Sequence, residues 1–405
     1  MLWLLLLSGF GAFVLLSLCC MPRIAVHQMT RMKRSSYDNC LDLLEEYQIF
    51  SRQQFNDLQK EEVRIQSHDG LQLYGTYIEL YPHSKRTMIF VHGYTGALPW
   101  SSQFIDMFAQ VGFNALLIDQ RSHGNSEGKY ATFGYMEKYD VQAWVDWVVR
   151  RNGDDSIIGL HGQSLGGGTA LEYVTIHRPQ VRFIVADCPY SDLTQLIRHQ
   201  VVKLNRAPAW PLMPLIDRLL KRKAAFEMND VSPIRAIAQS KLPILFIHGA
   251  ADIFVPTKMS EDLYAVKPEP KELLLVDKAT HGVSHCRERE LYRNAVINFV
   301  TRYVGLPSQQ AESIYSAELS EFNSTLAAQS VPFVHPVHSV QSAPPDQPTA
   351  VIAASTDNKK NDLQLDTSEP LAVFAVSVAP ALPEEDAVEA AEEAGETTVL
   401  EPNFA

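Results

Sequence analysis

Cysteine is scarce in this chain: five in 405 residues, at Cys19, Cys20, Cys40, Cys188 and Cys286. Two sit side by side in an N-terminal apolar run and the others are scattered. Their spacing suits neither a zinc site nor a disulfide framework, and it is compatible with a reducing compartment. Internal repeats are absent. So is any basic stripe interleaved with aromatics, which argues against a nucleic-acid partner. Charge is missing altogether from residues 1–21, "MLWLLLLSGFGAFVLLSLCCM". A helix of that length spans roughly 30 Å, the hydrocarbon core of a bilayer. A basic leader and a small-residue cleavage site are both lacking, so an uncleaved anchor is expected over a signal peptide. Arg23, Arg31, Lys33 and Arg34 follow the span and no basic side chain precedes it. This asymmetry predicts a single-pass cell-membrane protein with the bulk of its chain in the cytoplasm.

The net charge of −12 is unevenly spread. From Pro307 onward there are 16 acidic side chains against Lys359 and Lys360, so the first 306 residues carry a net +2. The segment 307–405 is rich in Ala, Pro, Ser, Glu and Gln and has no apolar periodicity. It is expected to be a disordered acidic tail. Residues 22–61 are expected to form a helical juxtamembrane linker.

Between 62 and 306 a regular rhythm appears. "VRIQSHDGLQLYGTYIEL" predicts two strands joined at Asp69-Gly70. Short apolar runs then alternate with longer helical patterns. Strands are expected at Thr87–Val91, Asn114–Asp119, Ser156–Leu160, Phe183–Asp187, Pro243–His248 and Glu272–Val276. The pattern predicts an α/β fold with a mostly parallel sheet and helices on both faces. The rhythm breaks over 192–236, where "APAWPLMPL" is punctuated by Pro208, Pro211 and Pro214 and eight Lys or Arg stand against four acids. This insertion is expected to act as a lid.

Glycine is also sparse, 20 in all, yet four crowd around one serine in "LHGQSLGGGTA", residues 160–170. A serine on a sharp strand-to-helix turn needs small neighbours two residues either side, here Gly162 and Gly166. Gly167 and Gly168 are expected to let the next helix approach the sheet. A serine nucleophile also requires a base and an orienting carboxylate, and sheets of this kind collect such groups at the carboxyl ends of their strands. Asp252 follows one strand end in "HGAADIFVP" and His281 follows the next in "DKATHGVSH". Asp187 is the alternative acid and His285 the alternative base, the latter expected at the surface or capping the last helix. His92 and His161 read as buried hydrogen-bonding partners. The loop "VHGYTG" offers the backbone N–H of Tyr94, with Thr95 as the near alternative. Together with the N–H of Leu165 it would form an oxyanion hole.

"VHGYTG", "DQRSHGNSEG", "GQSLGG" and "HGAADIFVP" together resemble the α/β-hydrolase superfamily, and in particular bacterial, often membrane-anchored serine hydrolases of the serine-aminopeptidase-like group. The likeness spans about Glu62–Val304. It implies an α/β-hydrolase fold and acyl transfer to water through an acyl-enzyme. It implies Ser164 as nucleophile, His281 as base, Asp252 as acid, and Tyr94 and Leu165 as oxyanion donors, with no metal or organic cofactor. "ATHGVSH" departs from the more usual Gly-His pairing. The expected function is a membrane-anchored carboxylesterase or lipase-like enzyme acting on a small-molecule or lipid ester. A thioesterase or aminopeptidase on the same triad, and a non-catalytic scaffold recruiting partners through its acidic tail, are the alternatives.

Overall fold

The structure, a computed structural model, describes residues 2–31, 35–306 and 351–353. Its strands are β1 (Lys60–Gln66), β2 (Gln72–Ile78), β3 (Arg86–Val91), β4 (Asn114–Ile118), β5 (Ile157–Gln163), β6 (Val181–Asp187), β7 (Ile244–Gly249), β8 (Lys271–Val276) and β9 (Val351–Ala353). They form one sheet in the order β1-β2-β4-β3-β5-β6-β7-β8-β9. β1 and β2 make an antiparallel hairpin, and β2 pairs antiparallel with β4. Every later pairing is parallel. The hairpin turns at Asp69-Gly70, where Gly70 adopts φ +90°, a conformation open to glycine without a Cβ penalty.

The central strands are buried on both faces, as their continuous apolar runs require. Alternation along β3 divides its side chains between two cores. Met88 and Phe90 join Phe108, Phe183 and Phe299 on one face. Ile89 and Val91 join Leu116, Trp144, Leu160 and Ile184 on the other. The first face is covered by α4 (Ile105–Ala109) and α12 (Arg289–Val304), the second by α5 (Glu137–Asn152), α6 (Leu165–Tyr173) and α10 (Lys258–Val266). Between β6 and β7 lie α7 (Leu193–His199), α8 (Ala209–Ala224) and α9 (Pro233–Ile237). A short α11 (Ser284–Arg287) precedes α12.

The N-terminal region departs from expectation. Helix α1 runs from Leu2 to Arg31, ten residues past the expected end of the anchor. Its last turns are embedded in protein: Ala25, Val26, Met29 and Thr30 are all buried, and α1 packs along α8. Among the described residues no helix is long and apolar enough to cross a membrane, so the expected anchor at 1–21 gains no support. The linker expectation is also corrected. α2 (Tyr37–Glu46) and α3 (Arg52–Asp57) are helical, but Cys40, Leu41, Leu44 and Phe55 belong to the core of the main domain. In the expected tail, Val351–Ala353 form a strand on the free edge of β8. The rest, 307–350 and 354–405, lies outside the described residues.

Candidate active site

Ser164 sits between β5 and α6 with φ 54° and ψ −113°. Positive φ is unfavourable for a residue with a Cβ and marks stored local strain. The turn holds because backbones meet where side chains are missing. A Cβ on Gly162 would lie 2.2 Å from the Gly166 carbonyl oxygen, and one on Gly166 would lie 1.9 Å from that of Val91 at the end of β3. The closest approach to the sheet is therefore made by Gly166, with Gly167 also tight against it as expected. Gly168 instead accommodates the ring of Tyr190, 2.3 Å from where its Cβ would be, and Gly167 lies against the carbonyls of Gly162 and Asp187.

The structure brings Ser164, His281 and Asp252 into one chain of contacts. Ser164 Oγ is 2.8 Å from His281 Nε2, and His281 Nδ1 is 2.6 Å from Asp252 Oδ2. An ionised carboxylate only accepts, so Nδ1–H donates to Asp252 and Nε2 is left to accept the serine proton. Burial alone would raise the Asp252 carboxyl. The charge of His281 and hydrogen bonds from His248 and His281 outweigh it and hold the group well below the usual carboxylate range. Its other oxygen, Oδ1, accepts from the backbone N–H groups of Phe254 and Val255, each at 2.9 Å. Asp252 therefore remains an anion, able to stabilise an imidazolium beside it.

Two further side chains frame this arrangement, and neither was singled out in the sequence. Fully buried His248, on β7, faces two acceptors through Nε2: Asp252 Oδ2 at 3.1 Å and the Val255 carbonyl at 2.9 Å. Its Nδ1 accepts from the Ser260 hydroxyl at 2.6 Å. Nε2 is thus the protonated nitrogen, and the ring fixes Asp252 from behind. Gln163, just before the serine, accepts from Trp100 Nε1 at 2.5 Å and donates to Asp187 Oδ2 at 2.9 Å and the Gly282 carbonyl at 3.1 Å. It ties the elbow to the loop that carries His281. The sequence signals are the histidine four positions before Asp252 and the amide inside the elbow. A third device is Gly249, whose Cβ would lie 2.2 Å from the Ala279 carbonyl, so the acid and base loops touch backbone to backbone.

The alternatives fall elsewhere. Asp187 is fully buried, and its Oδ2 accepts from Gln163 and from the Tyr292 hydroxyl at 3.4 Å, not from His281. His285 is buried, not at the surface as expected. It bonds Gln103 at 3.1 Å and packs among Phe104 and Tyr292. Burial pushes its imidazole down to about 3. His92 and His161 are likewise buried, pushed by burial to about 4 and about 3.

Burial pushes the Asp187 carboxyl up to about 6, which makes a testable pH effect. A raised native pKa means the folded state holds its proton longer than the unfolded chain does. Stability from this group is complete below the ordinary carboxylate pKa near 4 and is lost as pH rises through about 6. Asp187→Asn, which mimics the neutral form, is expected to raise the melting temperature by a few degrees at pH 8 and to give no gain at pH 4.5. Thermal melts at the two pH values check this. A variant less stable than wild type at pH 8 contradicts it.

Ser164 and His281 open onto a cavity of about 80 Å³. Tyr94, Thr95 and Leu165 line it, beside apolar walls from Met29, Phe133, Leu196 and Val255. Leu165 is the first residue of α6, so its N–H has no partner within the helix. The Tyr94 loop is braced from behind, since the ring of His123 meets the Tyr94 carbonyl through Nε2.

Residues 82–239 match the family described as serine aminopeptidase, S33. The chain is 32% identical over 248 residues to the uncharacterized protein YqkD of Bacillus subtilis, covering 61% of this chain and 81% of that one. The chain belongs to the α/β-hydrolase superfamily. The Pyrococcus furiosus esterase Pf2001 superposes on this α/β hydrolase with a TM-score of 0.50 and 25% identity, over 63% of this chain and 96% of that one. The human acylamino-acid-releasing enzyme is 30% identical over 209 residues, which is 48% of this chain and 28% of that protein. This α/β hydrolase is of the esterase/peptidase type.

Proposed function

We propose that the protein is a serine hydrolase that cleaves carboxylic esters through an acyl-enzyme. Ser164 Oγ attacks the ester carbonyl carbon while His281 Nε2 takes its proton. Asp252 holds the resulting imidazolium in place, and the backbone N–H groups of Tyr94 and Leu165 receive the oxyanion. The intermediate collapses as His281 returns the proton to the departing alkoxide. Water then attacks the acyl-enzyme by the same path, and the acid leaves with Ser164 restored. These steps call for no metal or organic cofactor.

The observation that carries this reading is the contact chain Ser164–His281–Asp252, at 2.8 and 2.6 Å, opening onto an apolar cavity. An apolar wall beside the nucleophile favours an acyl chain. The match to the serine aminopeptidase description favours a second reading, amide cleavage on the same three residues. The two separate in a substrate panel of p-nitrophenyl esters and aminoacyl p-nitroanilides. The ester reading expects kcat/KM for the best ester to exceed that for the best anilide by about 10³-fold or more, a margin worth about 4 kcal/mol of transition-state binding. Faster anilide cleavage makes the protein a peptidase. No turnover of either class removes both readings.

A further inference from the structure

The last turns of α1 lie well before the segment 82–239 that matches the family, yet they reach the catalytic cavity. Gln28 and Met29 line the same space as Ser164 and His281. Met29 is 5% exposed and packs in one apolar cluster with Phe133, Leu165 and Leu196. Phe133 and Leu196 come from two other parts of the chain, so the cluster is a wall assembled around the nucleophile's own helix.

That wall is fixed in position. The Tyr94 hydroxyl donates to the Gln28 carbonyl at 2.5 Å. The Ala131 N–H donates to the Thr30 carbonyl at 3.0 Å, and the Ser35 N–H donates to the Thr95 carbonyl at 3.1 Å. The loop carrying Tyr94 and Thr95 is thus bound on both sides of Met29. The helix also packs along α8. Movement of α1 away from the cavity would break these bonds and uncover the apolar cluster.

We propose that Met29 is a specificity-determining residue of the acyl pocket, and that α1 is the pocket wall that discriminates esters by the length of a straight acyl chain. The inference rests on the serine-hydrolase reading and adds the substrate class. The chemistry follows from the side chains present. The thioether of Met29 is unbranched and adaptable, so it can yield along a flexible chain. The ring of Phe133 in the same cluster is rigid. A straight alkyl chain gains from each methylene buried against this cavity lining, at about 0.8 kcal/mol per CH₂. A bulkier group at position 29 would close that space, and a smaller one would extend it.

The test compares full-length wild type with Met29→Ala, Met29→Trp and the conservative Met29→Leu. The probes are p-nitrophenyl esters of about two to about twelve acyl carbons, and a fluorophosphonate counts functional serines in each preparation. The readout is the ratio of kcat/KM for the dodecanoyl ester to that for the butanoyl ester. Removing a side chain of this size is worth about tenfold to a hundredfold in discrimination. The ratio is therefore expected to rise about tenfold in Met29→Ala, fall about tenfold in Met29→Trp, and stay within about twofold in Met29→Leu. An unchanged ratio in both Ala and Trp variants, with full labelling, overturns the role of Met29. A wild-type protein that neither labels nor turns over any ester overturns the serine-hydrolase reading itself, and this inference with it.

Discussion

Ser164→Ala is expected to lower kcat on the best ester by about 10³-fold or more, with a melting temperature no lower than that of wild type. The hydroxyl is 2.8 Å from His281 Nε2, and alanine, which keeps the Cβ, bears the same positive-φ strain as serine at this turn. The chemistry loses its nucleophile while the packing loses one partly exposed oxygen. Asp252→Asn and His281→Ala are expected to fall in the same range. Residues that act as one unit do not add, so the triple variant should be little worse than Ser164→Ala alone. His285→Ala provides the contrast. That ring lies in an aromatic cluster with Phe104 and Tyr292, and its loss should reduce stability and leave kcat within a few-fold. Normal turnover in His281→Ala, with loss in a folded His285→Ala, would assign the base wrongly.

Gly166→Val is expected to produce the largest stability loss. A Cβ at this position would stand 1.9 Å from the Val91 carbonyl oxygen and 2.7 Å from that of His92. Both obstacles are backbone at the end of a central strand, so no side chain can rotate out of the way. Either α6 lifts from the sheet or β3 shifts, and each route disrupts packing in a close-packed interior. The loss should reach about 4 kcal/mol or more, which lowers the melting temperature of a domain this size by about 10 °C. Gly70→Ala serves as the control. Gly70, unlike Gly166, has positive φ, but nothing lies within 4 Å of its Cβ, so only the left-handed backbone penalty of about 1 kcal/mol applies. Equal melting temperatures for Gly166→Val and wild type would contradict the close contact.

The parts legible in the sequence share a cause. The strands β3 to β7 are largely buried on both faces and β8 carries a run of leucines, so each reads as an apolar run that can be found without knowing its neighbours. The elbow is legible because its backbone contacts demand glycine at 162 and 166. Asp252 and His281 are legible because each follows a strand that the apolar runs had located. What escaped notice depends on contacts made across the fold. Ala25, Val26 and Met29 form a short buried stripe between Arg23, His27 and Arg31, and nothing local shows that α8 and the Tyr94 loop cover it. His285 looks like a surface residue until Phe104, from far earlier in the chain, closes over it. His248 and Gln163 act by holding other groups, and that role is invisible until the groups are in place.

Mapping a fluorophosphonate adduct tests whether Ser164 is the nucleophile of an ester hydrolase. Wild-type protein is incubated with the reagent, digested, and the modified peptide sequenced by mass spectrometry. One adduct per chain is expected on Ser164, with loss of ester turnover in step with its formation and no adduct in Ser164→Ala. An unmodified wild-type chain, or an adduct on another residue that forms equally in Ser164→Ala, would contradict it.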